Sequence, residues 1–269
     1  MLTTRVIPCL DVRDGRIVKG VRFQGLRDAG DPASRAAMYE QTGADEIVML
    51  DVSATNEARA TAARTVRAIR RVLSIPLTVG GGIASIEDAA RLLDAGADKV
   101  SVNSAAVRDP SLITRLAERF GRQCAVLAID AARTEARTAE APTYTVLTRS
   151  GTRTEPLDAL EWAVEGQSRG AGEILLTSFD RDGTGDGYDL DLLALIASAV
   201  EIPVIASGGA RHAQHLADAV RAGADAVLAA SIFHDGITTP DAIKRELAEL
   251  GLRVRREEPS NDAAEEYVA

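Results

Sequence analysis

The chain has 269 residues, 46% apolar and 26% charged, which fits a folded protein with a sizeable core and excludes a disordered or fibrous one. A net charge of -9 argues against a general nucleic-acid binder, although helix N-termini and backbone amides can still hold an anionic substrate. No apolar run approaches the roughly 20 residues of a membrane span. Residues 1–16 lack a signal-peptide pattern. Cys9 and Cys124, both inside apolar stretches, make no disulfide framework and no zinc cluster, so a reduced, cytoplasmic protein with buried cysteines is expected.

From the N-terminus, short apolar or β-branched runs alternate with longer amphipathic ones. Strands are expected at 5–11, 46–51, 77–79, 99–102, 125–130, 173–177, 204–206 and 226–229, each bounded by Gly, Asp, Asn or Ser. Helices are expected to begin near Pro32, Ala58, Ser85, Pro110, Leu157, Asp189, His212 and Pro240. Asp31-Pro32, Asp109-Pro110 and Thr239-Pro240 each place a capping residue before a first-turn proline. Gly43, Gly96, Gly121, Gly170 and Gly223 stand where left-handed C-terminal caps belong. Eight strand–helix units predict a (β/α)8 TIM barrel. No GxGxxG follows the first strand, so a dinucleotide-binding sheet has no support.

The two halves of the chain repeat. Thr42–Ile47 matches 169–174, Ile75-Pro76 matches Ile202-Pro203, and the Ala95–Asp98 run matches 222–225, all at an offset of 127 (169 − 42). Cys9-Leu10-Asp11 matches Ala128-Ile129-Asp130 at an offset of 119 (128 − 9), so the second half carries an insertion, placed in the polar stretch 131–143. The expected architecture is one barrel over 1–254, with half-barrels of about 1–122 and 123–254, followed by a solvated, mobile tail over 255–269.

Barrel chemistry sits at the C-terminal ends of the strands, with phosphate sites in the loops after strands seven and eight. Ser207-Gly208-Gly209 follows the seventh strand and Ala230-Ser231 the eighth; Gly80-Gly81-Gly82 and Asn103-Ser104 repeat the arrangement in the first half. Read blandly, these glycines only make tight turns. Their symmetric duplication favours two phosphate cradles and an elongated substrate phosphorylated at both ends. The same symmetry sets Asp11 and Asp130 opposite each other between the cradles. A carboxylate ending an apolar strand is partly desolvated and suited to acid–base work, although Asp also caps loops. Asp51 and Asp180 are weaker candidates for binding or support. Cys9 shares the strand face of Asp11 and can line the mouth, without a base to make it a nucleophile. His212 and His215 read as a solvated helix face, Trp162 as packing, and no metal-ligand pattern appears.

The run Arg5–Val12 (RVIPCLDV) with Gly15–Gly20 (GRIVKG), LTVGGG at 77–82, ADKVSVNS at 97–104, GAGEILLTSFDRDGT at 170–184 and IASGGA at 205–210 resembles the cyclase subunit of imidazole glycerol phosphate synthase, over about residues 1–254. That family joins ammonia to a linear bisphosphorylated ribulosyl aminoimidazole-carboxamide intermediate. It releases imidazole glycerol phosphate and an aminoimidazole carboxamide ribotide, in histidine biosynthesis, with no cofactor. The resemblance implies Asp11 and Asp130 as the acid–base pair and Lys19 on a mobile loop over the substrate. It implies phosphate contacts at Gly82, Asn103 and Ser104 at one end, and at Asp182, Gly183, Ser207, Gly209, Ala230 and Ser231 at the other. Thr177 and Ser150 fall on further substrate-side positions, and Cys9 and Asp51 join the expected substrate-binding set on their place at the mouth. It also implies a glutaminase partner docked at the N-terminal face in a heterodimer, near Asp98 and Gln123, and a ring of charges gating ammonia, Arg5, Glu46, Lys99 and Glu173. Taken alone, four such charges at a barrel bottom are expected to pair.

Three positions depart from the family pattern: Arg211 where a glycine is usual, the segment 149–156, and Phe179. The alternatives are the sibling isomerase, which shares the repeat, the cradles and the aspartate pair, and a phosphosugar-binding barrel without catalysis. The gate charges and the N-terminal run favour the cyclase.

Overall fold

The computed structural model describes residues 3–21, 24–52, 56–134 and 142–255, without the side chains of 19–29 and 56–60. Eight strands form the barrel wall: β1 (Arg5–Arg13), β4 (Ile47–Asp51), β5 (Leu77–Gly80), β6 (Lys99–Val102), β7 (Ala125–Arg133), β10 (Glu173–Ser178), β11 (Val204–Ser207) and β12 (Ala226–Ala229). They pair in parallel in the order β10-β11-β12-β1-β4-β5-β6-β7, and β10 pairs with β7 to close the ring. The wall is the expected (β/α)8 barrel. Strands covered on both faces read as continuous apolar runs, which is why each was visible in the sequence.

The outer helices are α1 (Pro32–Gln41), α2 (Asn56–Arg70), α3 (Ile86–Asp94), α5 (Ser111–Phe120), α6 (Ala159–Ser168), α7 (Leu190–Ala197), α8 (Ala213–Arg221) and α10 (Pro240–Glu249). Asp31 caps α1 by accepting from the Ser34 amide, and Thr239 caps α10 by accepting from Ala242, each with proline at the first helical positions. Asp109-Pro110 behaves differently. Asp109 closes the short α4 (Ser104–Arg108), and the residue at the N-cap of α5 is Pro110, while the Asp109 carboxylate accepts from Ser111 Oγ and Arg115.

Two antiparallel hairpins rise from corresponding places in the halves. β2 (Arg16–Val21) and β3 (Gln24–Gly30) follow β1; β8 (Tyr144–Thr148) and β9 (Arg153–Asp158) follow β7. Two short helices, α4 and α9 (Ser231–His234), follow β6 and β12. Of the stretch expected to hold the insertion, 131–133 extend β7, while 135–141 lie outside the described residues. So do 256–269, the expected tail. Cys9 is buried, but Cys124 is only half-buried, because it sits in a single 3-10 turn (Arg122–Cys124) on the N-terminal face. Among the described residues no helix is long and apolar enough to cross a membrane.

The wall has two apolar layers. Outward residues pack with the helices, while Ile7, Cys9, Val48, Val126, Leu175, Ile205, Ala226 and Leu228 fill the interior. Strand side chains alternate with period two, so the inward set of β1 is Arg5, Ile7, Cys9 and Asp11. By the same alternation the inward set of β6 is Lys99, Ser101 and Asn103, and that of β10 is Glu173, Leu175 and Thr177. One face of each strand therefore carries a charge at the bottom, an apolar or small residue in the middle and a polar group at the mouth. The six residue steps from Arg5 to Asp11 span roughly 20 Å of strand.

Candidate active site

A cavity of about 630 Å³ opens at the C-terminal mouth. It is lined by Cys9, Asp11, Asp51, Gly82, Asn103, Ser104, Asp130, Ser150, Thr177, Asp182, Gly183, Ser207, Gly209, Ala230 and Ser231. Residues predicted from scattered parts of the chain thus meet around one space. Lys19 stands in β2, and its side chain lies outside the described residues. Asp180 does not line the cavity; it accepts the Arg133 amide at 2.8 Å and steadies the end of β7.

Asp11 and Asp130 end the inward rows of β1 and β7. Burial beneath the mouth, followed by the nearby Asp182 carboxylate, pushes each of them up to about 7. Asn103 Nδ2 donates to Asp130 Oδ2 at 2.9 Å and partly opposes the shift. The Cys9 thiol lies 4.0 Å from Asp11 Oδ1; burial and the charges of Asp11 and Asp182 hold it protonated. The geometry thus offers two proton carriers near neutrality and no thiolate nucleophile.

Both carboxyls are raised above the ordinary Asp value of about 3.9, so the folded protein holds more protons than the unfolded chain from roughly pH 4 to 7. Stability contributed by these sites falls as pH rises through that window, and the cost is complete above it. Catalysis by one protonated and one ionised member predicts a bell-shaped kcat/KM centred near pH 7, its two limbs belonging to the pair. A rate profile flat from pH 5.5 to 8.5 would contradict the shared role.

The cradles are tight because backbone passes over backbone. A Cβ on Gly81, at φ 93°, would fall 1.9 Å from the Asp51 carbonyl oxygen. Its repeat partner Gly208, at φ 94°, would place one 2.8 Å from the Ser178 carbonyl. Asp51 and Ser178 are themselves 127 apart (178 − 51), so the close approach was duplicated with the strands. Gly81→Ala must meet both a left-handed φ and a backbone clash. It is expected to cost at least about 2 kcal/mol and to lower the melting temperature and substrate affinity together. A parental melting temperature would show that the loop yields freely.

At the opposite end four charges alternate around the bottom of the barrel. Arg5 bonds Glu46 at 2.8 Å and also bonds Glu173. Lys99 Nζ reaches the two oxygens of Glu46 at 3.0 and 2.9 Å and Glu173 at 2.8 Å. Thr78 Oγ1 donates to Glu46 at 2.6 Å. The glutamates are buried, at 1% and 5% exposure, so the pairing expected of four such charges is complete. Burial works against the Arg5 charge, but Glu173 and Glu46 outweigh it and hold Arg5 above its ordinary value. Asp98 and Gln123 lie on this same face; Asp98 pairs with Arg70 and accepts the Leu77 amide at 2.8 Å.

The sequence model of one family, described as "Histidine biosynthesis protein", matches residues 5–239. The chain belongs to that family. Three relatives carry the name imidazole glycerol phosphate synthase subunit HisF. The one from Streptomyces coelicolor is 55% identical over 254 residues, which is 94% of this chain and 99% of the relative. That from Myxococcus xanthus is 54% identical over 95% and 99%, and that from Corynebacterium diphtheriae 51% over 94% and 99%.

Some cavity residues of this histidine biosynthesis barrel were not anticipated. Arg108, Arg149, Arg211 and His234 also line the mouth. His234 Nδ1 lies 2.7 Å from the Tyr39 hydroxyl, which fixes α9 against α1. Phe179, one of the departures from the family pattern, packs under the β8–β9 turn, where a Cβ on Gly151 would fall 2.0 Å from its ring. His212 and His215 stack with ring centroids 3.8 Å apart. His215 is half-buried against Gly187, so only His212 belongs to the solvated face expected of both. Trp162 is packing, at 1% exposure.

Proposed function

We propose that this chain is the cyclase subunit of an imidazole glycerol phosphate synthase, a lyase of histidine biosynthesis acting in the cytoplasm with a glutaminase partner. It converts the bisphosphorylated ribulosyl intermediate and ammonia to imidazole glycerol phosphate and the aminoimidazole carboxamide ribotide. The observation that carries the reading is one set of inward strand faces that ends in paired Asp at the mouth and in a paired charge ring at the bottom. A barrel handling only a bisphosphate needs the mouth; one fed with ammonia from below needs both ends.

The mouth suits the two ends of such a substrate. The Gly82, Asn103 and Ser104 loops hold one phosphate, and Asp182–Gly183, Ser207, Gly209 and Ala230–Ser231 hold the other by backbone amides and hydroxyls. The substrate then spans the mouth with its reacting carbon between Asp11 and Asp130. Ammonia addition to the ribulosyl carbonyl, ring closure and carboxamide release each shift protons on nitrogen or oxygen. Two carboxyls near 7 can give and take those protons in turn. Asn103 Oδ1 is buried with no hydrogen-bond partner among the described residues, and so offers an acceptor to a substrate N–H or O–H. The apolar interior between mouth and ring presents little to bind an uncharged ammonia molecule. Asp98 and Gln123 on the lower face would meet the glutaminase.

Incubation with the bisphosphate intermediate and an ammonium salt tests the reading. Equal amounts of imidazole glycerol phosphate and the carboxamide ribotide are expected. Ring opening of the preceding aminoaldose would instead identify the sibling isomerase, and binding without turnover a non-catalytic barrel.

A further inference from the structure

Three arginines line the mouth with side chains that make no hydrogen bond or ion pair among the described residues: Arg108, Arg149 and Arg211. Arg5, Arg70, Arg115 and Arg133 are by contrast held in ion pairs. An unpartnered guanidinium at the edge of a cavity keeps five donors ready for an anion, in a fork that matches phosphate. Two of the three gather at one cradle. Arg108 stands four residues beyond Ser104 on α4, one helical turn away and on the same face. Arg149 reaches that place from the other side, across the mouth of the β8–β9 hairpin.

The hairpin is tied there. The Arg149 amide donates to Ser104 Oγ at 3.0 Å, and Thr152 Oγ1 donates to the Arg149 carbonyl at 2.7 Å. Arg149, Ser150 and Gly151 all take left-handed backbone, at φ 53°, 55° and 79°, which turns the chain sharply at this point. Since Ser104 Oγ accepts from Arg149, its own O–H is left to donate toward the cavity. The same contact brings the Arg149 side chain to the Ser104 cradle. Arg149 is not among the phosphate contacts that the family resemblance implies.

We propose that Arg149 and Arg108 form a cationic clamp that grips the substrate phosphate held at Gly82, Asn103 and Ser104, making that end the tighter of the two. The clamp rests on the bisphosphate reading above, and it makes the two ends unequal. Two unpartnered cations serve the first cradle, and among the described residues Arg211 stands at the second. The first phosphate is then the anchor, and the far end of the substrate is free to settle as the ring closes and the products part.

The test is calorimetric titration of the bisphosphate intermediate into the parent and into Arg149→Gln, Arg108→Gln and Arg149→Lys, with ammonium-dependent turnover measured on the same preparations. Gln keeps the aliphatic stem and a hydrogen-bonding amide while removing the charge, and as another L side chain it leaves the left-handed strain at position 149 in place. Each Gln variant is expected to weaken binding about tenfold, to raise the KM for the bisphosphate in step, and to leave the melting temperature unchanged. Arg149→Lys should recover part of the affinity. Arg71→Gln, which removes an exposed charge at the end of α2 away from the cavity, should bind like the parent. Affinities within twofold of the parent for both clamp variants would overturn the proposal, as would an equal loss in Arg71→Gln. If the parent binds the bisphosphate but does not turn it over, the cyclase reading fails while the affinities still decide the clamp.

Discussion

Asp11→Asn and Asp130→Asn are each expected to lower ammonium-dependent turnover roughly 100- to 10,000-fold, the range that a positioned acid or base contributes. An amide has nearly the shape of the carboxyl but cannot carry the proton. Bisphosphate affinity should therefore survive within a few fold, since the cradles lie on other loops. Stability supplies an independent check. Both carboxyls are held near 7 by burial and by Asp182, so ionising them in the folded protein is costly at alkaline pH. Replacing either by a neutral amide removes that cost, and the melting temperature at pH 8 should equal or exceed the parental one. Asp130→Asn gains less, because Asn103 already bonds the carboxylate. Near-parental turnover in either variant would remove that residue from the chemistry. A loss of activity accompanied by a lower melting temperature would point to a structural role instead.

The second large effect is expected at the bottom ring, and it should depend on where ammonia comes from. Free ammonia can reach the mouth from solvent, so Lys99→Ala should leave ammonium-dependent turnover largely intact. If a docked glutaminase releases ammonia at the lower face, that ammonia must pass the ring, and glutamine-dependent turnover should then fall about tenfold or more, or uncouple from glutamine hydrolysis. A purely structural ring predicts otherwise. Stranding a buried carboxylate costs roughly 3–5 kcal/mol. Arg5 still bonds both Glu46 and Glu173 in this variant, so the cost should fall below that range. Parallel loss of both activities and of the melting temperature would sink the gate. Selective loss of the glutamine-driven activity would establish it.

The barrel was legible because its parts announce themselves locally. Eight buried parallel strands are continuous apolar runs, and the caps at Asp31 and Thr239 act as their spacing implies. The two hairpins were not legible, for a physical reason. β3 (QGLRDAG) and β9 (RTEPLD) show no alternation of apolar and polar residues, and pair only with β2 and β8, which in turn pair with the ends of β1 and β7 that run on past the wall. α4 and α9 have five and four residues, too few to show a helical period. The short α4 also displaced the cap expected of Asp109. Asp11 and Asp130 could be found because duplication marks them. Arg108, Arg149 and His234 could not, because nothing repeats them and their place depends on hairpin and helix folding over the mouth.

Whether ammonia is built into the ring formed between the two aspartates can be measured directly. The protein is supplied with the bisphosphate intermediate and ammonium carrying nitrogen-15, and both products are analysed by mass. One labelled nitrogen is expected in every imidazole glycerol phosphate molecule and none in the carboxamide ribotide, with label transfer in Asp11→Asn slowed as its turnover is. Unlabelled products, or label in the carboxamide ribotide, would contradict that incorporation.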